Sequence, residues 1–249
     1  MPNTHWTDIH CHILPGVDDG SQDMEESIAM AAQAAEGGTS CIVATFHAGV
    51  DLLDARVYLP LIQRLNDRLQ EKDIDITVVP GAELIAGFLP ENLADFSING
   101  SRYLLVEFPY SHLPHAASAI LKAYVDRGFH PIIAHPERNP SIMRDPRRLF
   151  QMVEETRALV QVTADSVTGT FGRDIASCAR YLLKKGAVDL LASDAHDHDY
   201  RTPLMAAGVK AASKIVGEAE ALKMVRDNPE AVVAGRAWEN RFCHGASAC

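Results

Sequence analysis

The stretch Asp8-Ile9-His10-Cys11-His12 is typical of the end of a β-strand, and it carries two imidazoles and a carboxylate. Because strand side chains alternate between two faces, Asp8, His10 and His12 are expected on the same face. The pair Asp18-Asp19 follows a few residues later. Imidazoles beside carboxylates form a donor set that divalent metals bind, although a His-x-His pair alone is often a solvated surface pair.

Further β-rich runs alternate with amphipathic stretches along the rest of the chain. The seven predicted strands span residues 6–11, 41–46, 76–80, 103–108, 131–135, 159–163 and 188–193. Helical periodicity is expected over residues 24–35, 57–69, 116–127, 146–156, 174–185 and 204–215, the last with Pro203 in its first turn. Regular alternation with long connections predicts a parallel sheet, and both an open doubly wound sheet and a closed barrel satisfy it.

The composition describes an ordinary globular protein and excludes several classes of function. No linker-like segment divides the 249 residues, so a single domain over 1–249 is expected, with no structure assigned to the tail 237–249. The formal charge of -10 argues against a nucleic-acid partner, and no run of residues is apolar enough for membrane insertion. The start Met1-Pro2-Asn3-Thr4-His5 has neither a basic nor an apolar targeting run, so a cytoplasmic protein is expected, in which five cysteines without a Cys-x-x-Cys pair should be free thiols.

Metal-binding residue types recur at the ends of the predicted strands. Six of the seven runs end in His, Asp or Glu; after the first run these residues are His47, Glu83, Glu107, His135, Asp194 and His196. A single histidine at a strand end is usually a hydrogen-bonding loop residue. In a parallel barrel, however, all carboxyl ends of the strands meet at one mouth, where buried charges need compensation. The recurrence therefore predicts a metal site.

Four motifs resemble the polymerase and histidinol phosphatase (PHP) superfamily, and within it the metal-dependent bacterial protein-tyrosine phosphatases of capsule and exopolysaccharide loci. The motifs are Asp8-Ile9-His10-Cys11-His12-Ile13-Leu14-Pro15 with Asp18-Asp19-Gly20, Val106-Glu107-Phe108-Pro109, Ile133-Ala134-His135-Pro136-Glu137-Arg138-Asn139, and Ala192-Ser193-Asp194-Ala195-His196. The resemblance extends from about Asp8 to about Arg236. It implies a distorted (β/α)7 TIM-like barrel, which agrees with the seven predicted strands.

The resemblance also implies a site with three divalent metal ions. The metal is expected to be manganese, with iron or zinc as alternatives, because His and carboxylate ligands suit all three. The implied ligands are His10, His12, Asp19, His47, Glu83, Glu107, His135, Asp194 and His196. The family places phosphate-binding arginines at positions that match Arg138 and Arg201, and planar guanidinium groups suit phosphate oxygens.

The function implied is the hydrolysis of phosphotyrosine in protein by attack of a metal-bridging hydroxide. The expected partner is a bacterial tyrosine kinase that controls polysaccharide export. A cysteine-dependent mechanism is not expected, because no cysteine is followed by the Cys-x5-Arg arginine. Two alternatives stay open at this point: a small-molecule phosphatase such as histidinol phosphatase, and a non-catalytic metal-stabilised scaffold that binds the kinase.

Overall fold

Seven parallel β-strands form one sheet in the order of the chain in this computed structural model, which describes residues 5–49 and 55–238. The strands are β1 (Trp6–Cys11), β2 (Thr39–Ala48), β3 (Thr77–Ile85), β4 (Tyr103–Glu107), β5 (His130–Ile133), β6 (Leu159–Thr163) and β7 (Leu190–Ala192). All seven predicted strands are confirmed. The second and third are longer than expected, so that His47 and Glu83 lie within paired strands rather than after them.

The sheet closes almost completely, because the segments that follow its first and last strands bond to each other. The backbone N–H of Asp194 donates to the carbonyl of His10, and the N–H of His12 donates to the carbonyl of Ala195. Cys11 and Ala195 form an isolated parallel bridge. The predicted (β/α)7 barrel is therefore confirmed, and the open doubly wound alternative is wrong.

Helices cover the outside of this barrel. They are α1 (Met24–Glu36), α2 (Ala55–Glu71), α3 (Ala117–Val125), α4 (Pro140–Arg144), α5 (Arg147–Thr156), α6 (Ala164–Thr168), α7 (Arg173–Lys184), α8 (Ala206–Val216), α9 (Glu218–Lys223) and α10 (Asp227–Val233). The Asp23 side chain caps α1 by accepting from the N–H groups of Glu25 and Glu26. Pro203 was expected in the first turn of α8, but that helix begins only at Ala206.

Two apolar clusters hold the layers together. The larger one packs the helices against the outer face of the sheet and includes Ile28, Leu65 and Leu182. The smaller one fills the barrel with alternate strand residues such as Val43 and Leu105. These inward-facing side chains fill the barrel below its carboxyl mouth. The polar side chains at the strand ends therefore lie above a packed apolar layer.

No helix in the described part of the chain has both the length and the apolar character needed to cross a bilayer. Of the tail predicted to begin at residue 237, residues 239–249 lie outside the described residues, and Cys243 and Cys249 are among them.

Candidate metal centre

His10 and His12 lie at the carboxyl end of β1 and are almost fully buried. Their Nε2 atoms are 3.2 Å apart, so both imidazoles direct a nitrogen at the same point. Cys11 between them packs in the larger apolar cluster, as expected from strand alternation. Two ring nitrogens at this distance either share one proton in an N–H···N hydrogen bond or, when both are unprotonated, offer two lone pairs to the same cation.

The Glu83 carboxylate occupies the middle of this group. Its Oε1 lies 2.9 Å from Nε2 of His135 and 3.4 Å from Nε2 of His10. Its Oε2 lies 3.1 Å from Nδ1 of His47 and 3.4 Å from Nε2 of His12. Burial opposes ionisation of Glu83, but the surrounding histidines hold its pKa well below the usual range. The two oxygens thus face two different pairs of imidazoles, which is the geometry of a bridging carboxylate.

Asp194 follows β7 and divides its two oxygens between two kinds of partner. Oδ1 lies 3.4 Å from Nε2 of His10 and 3.7 Å from Nδ1 of His196. Oδ2 lies 2.5 Å from Nη1 of Arg138 and 2.8 Å from Nη2 of Arg201. Burial opposes the charged form, yet His10 and both guanidinium groups lower the pKa of Asp194. This carboxylate therefore joins the imidazole cluster to the two arginines.

Asp19, His47 and His196 form the outer side of the cluster, where it meets solvent. Oδ1 of Asp19 lies 3.4 Å from Nε2 of His47 and 3.5 Å from Nε2 of His196. Asp19 is 64% exposed and His47 is 32% exposed, whereas His196 is buried. The cluster is therefore open to solvent at Asp19 and His47.

All nine predicted ligand residues come together at the mouth of the barrel. Their potential ligand atoms fall into four overlapping groups, each with atoms within 4.8 Å of one another. The groups are His12/Asp19/His47/His196, His10/His12/Glu83, His10/His135/Asp194 and His47/Glu83/Glu107. Five imidazoles and four carboxylates at these separations match what several neighbouring divalent ions require. That these residues bind metal stays a prediction, which is taken up below.

Two of the predicted ligands have strained backbone conformations. His135 and Asp194 have φ angles of 29° and 52°, in the left-handed region that residues with a Cβ rarely adopt. Both follow the last residues of a strand, where the chain turns over the barrel mouth. Such strain concentrates at functional sites and persists because the surrounding contacts hold it.

Asp18 orients His12, a role that sequence reasoning did not assign. Its Oδ2 lies 2.7 Å from Nδ1 of His12 and accepts the backbone N–H of His47 at 3.0 Å. Gly20 makes this fold of the loop possible, because a Cβ there would lie 2.1 Å from the carbonyl oxygen of His12. Burial opposes the charge on His12, but Asp18 and Glu83 raise its pKa to about 10. The carboxylate fixes the imidazole so that Nε2 faces the cluster.

Gln161 orients His10 in a similar way, and it too was missed. Its Oε1 lies 3.0 Å from Nδ1 of His10 and accepts the backbone N–H of His135 at 3.3 Å. Gln161 is fully buried on β6, the one strand for which no ligand was predicted. An amide oxygen that faces Nδ1 requires the proton on that atom, which leaves Nε2 free as a donor to metal.

Asp8 does not join the cluster, contrary to its expected position beside His10 and His12. Its carboxylate accepts the N–H and hydroxyl of Ser193 and the N–H of His10. Burial raises the pKa of Asp8 to about 6, although these hydrogen bonds oppose the rise. The physical reason is a register shift between Asp8 and Cys11, which breaks the two-residue alternation.

Arg138 and Arg201 leave unused donors at the edge of the cluster. Nη2 of Arg138 donates to Oγ1 of Thr163, and its guanidinium lies 4.4 Å from the centre of the Phe171 ring. Nη2 of Arg201 donates to the carbonyl and the carboxylate of Asp194. In both arginines the Nε is buried and has no hydrogen-bond partner among the described residues. These two donors can bind an anion.

The described cysteines are outside the site chemistry. Cys11, Cys41 and Cys178 are free thiols. Burial raises the pKa of Cys41 to about 11 and that of Cys178 to about 12. Thiols with such pKa values are poor nucleophiles at neutral pH.

The chain matches known proteins over most of its length. The family model described as "Capsular polysaccharide synthesis, CpsB/CapC" matches residues 6–234. The tyrosine-protein phosphatase YwqE of Bacillus subtilis is 38% identical over 196 residues, which are 76% of this chain and 77% of that protein. The putative tyrosine-protein phosphatase CapC of Staphylococcus aureus is 33% identical over 198 residues, 76% of each chain.

A solved structure is similar over almost the full length. It is one of the crystal structures of YwqE from Bacillus subtilis and CpsB from Streptococcus pneumoniae, which are metal-dependent tyrosine phosphatases. The TM-score is 0.87 at 32% identity, and the match covers 94% of this chain and 97% of that one.

Proposed function

Since this chain belongs to the CpsB/CapC/YwqE family of metal-dependent tyrosine phosphatases of capsular polysaccharide synthesis, we propose that it removes phosphate from phosphotyrosine in protein. The proposed substrate is the tail of a bacterial tyrosine kinase that controls polysaccharide export. A flexible tail is a suitable substrate because it can enter the open side of the site formed by Asp19 and His47.

Three divalent ions held by the nine clustered residues fit the donor set. Glu83 would help to hold the ions through both of its oxygens, because they face different pairs of imidazoles. Manganese is the proposed ion, with iron or zinc as alternatives that suit the same ligands. Bound divalent ions supply Lewis acidity and an activated water at neutral pH. Their charge also explains how a protein of net charge -10 binds a phosphate dianion.

The position of Asp194 carries the proposal. One of its oxygens faces the imidazole cluster, and the other contacts Arg138 and Arg201. A phosphoryl group at this junction would have the metal ligands on one side and the two partly exposed guanidinium groups on the other. The arginines bind and orient the non-reacting phosphate oxygens and stabilise the charge that develops on them.

The leaving group favours aryl over alkyl phosphates. A phenol with a pKa of about 10 departs more readily than an alkyl alcohol and needs less help from a general acid. Tyr110, with 71% of its surface exposed, lines a small hollow of about 10 Å³ together with Glu107, His135 and Arg138. An exposed ring there can stack against a phosphotyrosine ring.

A panel of phosphorylated substrates tests the proposal against its alternatives. Manganese-loaded protein should hydrolyse phosphotyrosine peptides with higher kcat/KM than phosphoserine peptides or histidinol phosphate. Faster turnover of histidinol phosphate than of every phosphotyrosine peptide would favour a small-molecule phosphatase with the same site. If no phosphate is released from any substrate while the kinase tail still binds, the chain is a metal-stabilised scaffold.

A further inference from the structure

A groove extends from the candidate site across the outer face of α7. One part has a volume of about 530 Å³, the next about 820 Å³, and both parts are lined by Ser177 and Tyr181. We name it the basic groove after its four cationic lining residues, which are Arg144, Arg173, Arg180 and Lys184.

The lining of the basic groove adjoins the lining of the site in the chain at two places. At one end, the groove lies next to the hollow beside Glu107 and His135. In each of three pairs of consecutive residues, the first residue lines the hollow and the second lines the groove. These pairs are Tyr110/Ser111, Asn139/Pro140 and Ile142/Met143. At the other end, Thr168 and Gly169 line the groove, and Phe171 in the same loop lies under the Arg138 guanidinium. Because the two linings adjoin, the basic groove is the nearest cationic surface to which a peptide bound at the site can extend.

The charge of the groove is opposite to that of the protein. Four cations line it against one carboxylate, Asp174, whereas the whole chain has 23 Lys and Arg against 33 Asp and Glu. Residues 138–185 concentrate nine of those cations against five carboxylates. A cationic surface on an acidic protein attracts an acidic partner to this face, whereas the acidic remainder of the surface repels the partner's carboxylates.

None of the four cations is paired with a carboxylate within the described residues. The side chains of Arg173 and Lys184 are exposed, and Arg144 donates only to the carbonyl of Pro140. Arg180 has a structural role instead, because it donates to the carbonyls of Val167 and Thr168 at the end of α6. Elsewhere on the surface, cations such as Arg147 and Arg226 are paired with adjacent carboxylates. Arg173 and Lys184 are thus available to a ligand.

We propose that the basic groove binds acidic residues that flank the phosphotyrosine of the substrate. This inference rests on the proposed function and adds a sequence preference to it. Carboxylates of the peptide pair with Arg173 and Lys184, while the exposed Tyr181 ring and the side chains of Pro140 and Met143 contact its apolar parts. The groove then contributes to substrate binding and leaves the chemistry at the metal site unchanged.

The test compares two phosphotyrosine peptides, one with glutamates on both sides of the phosphotyrosine and one in which each glutamate is replaced by glutamine. Metal-loaded wild type should prefer the glutamate peptide by about fivefold in kcat/KM at low salt, the scale of two solvent-exposed ion pairs. The variant Arg173→Ala/Lys184→Ala should lose this preference through KM. Its turnover of p-nitrophenyl phosphate, which is too small to reach the groove, should stay at the wild-type level.

The control is Arg64→Ala/Arg102→Ala, which removes two exposed cations outside the groove and changes the net charge equally. This control should keep the preference for the glutamate peptide. Equal losses in both double variants would overturn the proposal in favour of general electrostatic steering, and a wild type without preference would overturn it outright. The proposal would also be overturned if Arg173→Ala/Lys184→Ala keeps the preference for the glutamate peptide and loses only binding to phosphatidylserine vesicles. Failure of wild type to hydrolyse either peptide would refute the proposed function itself.

Discussion

The Oδ2 atom of Asp18 lies 2.7 Å from Nδ1 of His12, and this contact sets the direction in which the imidazole faces the metal cluster. Burial opposes the charge on Asp18, but His12 and two backbone N–H groups lower its pKa to about 2. The carboxylate is therefore ionised at neutral pH and holds the Nδ1 proton of His12. Asp18 would support a bound metal by orienting the proposed ligand His12.

Asp18→Asn should weaken metal binding by about 10- to 100-fold, because the neutral amide orients His12 less firmly and lowers its basicity. Metal dissociation constants from competition with a chelating dye measure the change. Asp126→Asn, at the end of α3, is the control and should bind metal like wild type. Unchanged affinity in Asp18→Asn would show that Asp18 does not support the site.

Gln161→Leu should weaken metal binding by about tenfold, because Nδ1 of His10 and the N–H of His135 both lose their acceptor. The free energy of unfolding should change less than the free energy of metal binding. The reason is that the substitution also removes Nε2 of Gln161, a buried donor without a partner among the described residues. Gln161→Glu keeps an acceptor oxygen and should retain more affinity than Gln161→Leu. The opposite ranking of these two variants in the dye competition would refute this role.

Arg138→Ala and Arg201→Ala should each lower kcat/KM for p-nitrophenyl phosphate by about 30- to 1,000-fold, or about 2–4 kcal/mol of transition-state stabilisation. Each substitution removes a buried Nε donor at the junction with Asp194. The metal content by elemental analysis should stay the same. If the content falls together with activity, the arginines maintain the site rather than bind phosphate. Arg64→Ala, on α2, is the control and should keep full activity.

Metal loading at pH 7 should release protons, and affinity should rise with pH. In the metal-free chain burial opposes the charge on His12, but Asp18 and Glu83 raise its pKa to about 10, so a proton must leave before metal binds. Burial and His12 lower the pKa of His196 to about 4, so that residue binds without releasing one. Affinity should therefore tighten by about tenfold per pH unit for each proton released, up to about pH 10.

Isothermal titration calorimetry in buffers with different ionisation enthalpies counts these protons. At least one proton per chain should appear in the buffer at pH 7, and affinity should be tighter at pH 8 than at pH 6. Heats that do not depend on the buffer would contradict the pKa shift of His12.

The barrel was partly predictable from the sequence because its determinants are local. The β-rich runs predict the strands. The His, Asp and Glu residues at the ends of these runs predict that the site lies at the carboxyl end of the barrel, where the strand ends meet. Closure was not predictable, since it depends on backbone bonds between the segments around His10 and Asp194, 184 positions apart in the chain. The register shift that turns Asp8 away from the cluster is also invisible in the residue pattern.

The supporting residues of the site were harder to find than the proposed ligands. Gln161 is on a strand for which no ligand was predicted, and an amide in an apolar run has no pattern that predicts a partner on β1. Asp18 was visible in the sequence beside Asp19, but the two carboxylates are equivalent there. Only the folded loop shows that Asp19 faces His47 and His196, while Asp18 bonds to the far side of His12.

The most direct test of the central claim is to measure bound metal and phosphate release on the same samples of the wild-type chain with a phosphotyrosine peptide. Protein stripped with a chelator should contain no transition metal and release no phosphate, and both should return together as Mn²⁺ is added, up to about three ions per chain. His10→Ala, which removes a ligand shared by two of the donor groups, should bind less metal and show little recovery of activity. Full phosphate release by protein that contains no metal would contradict the account.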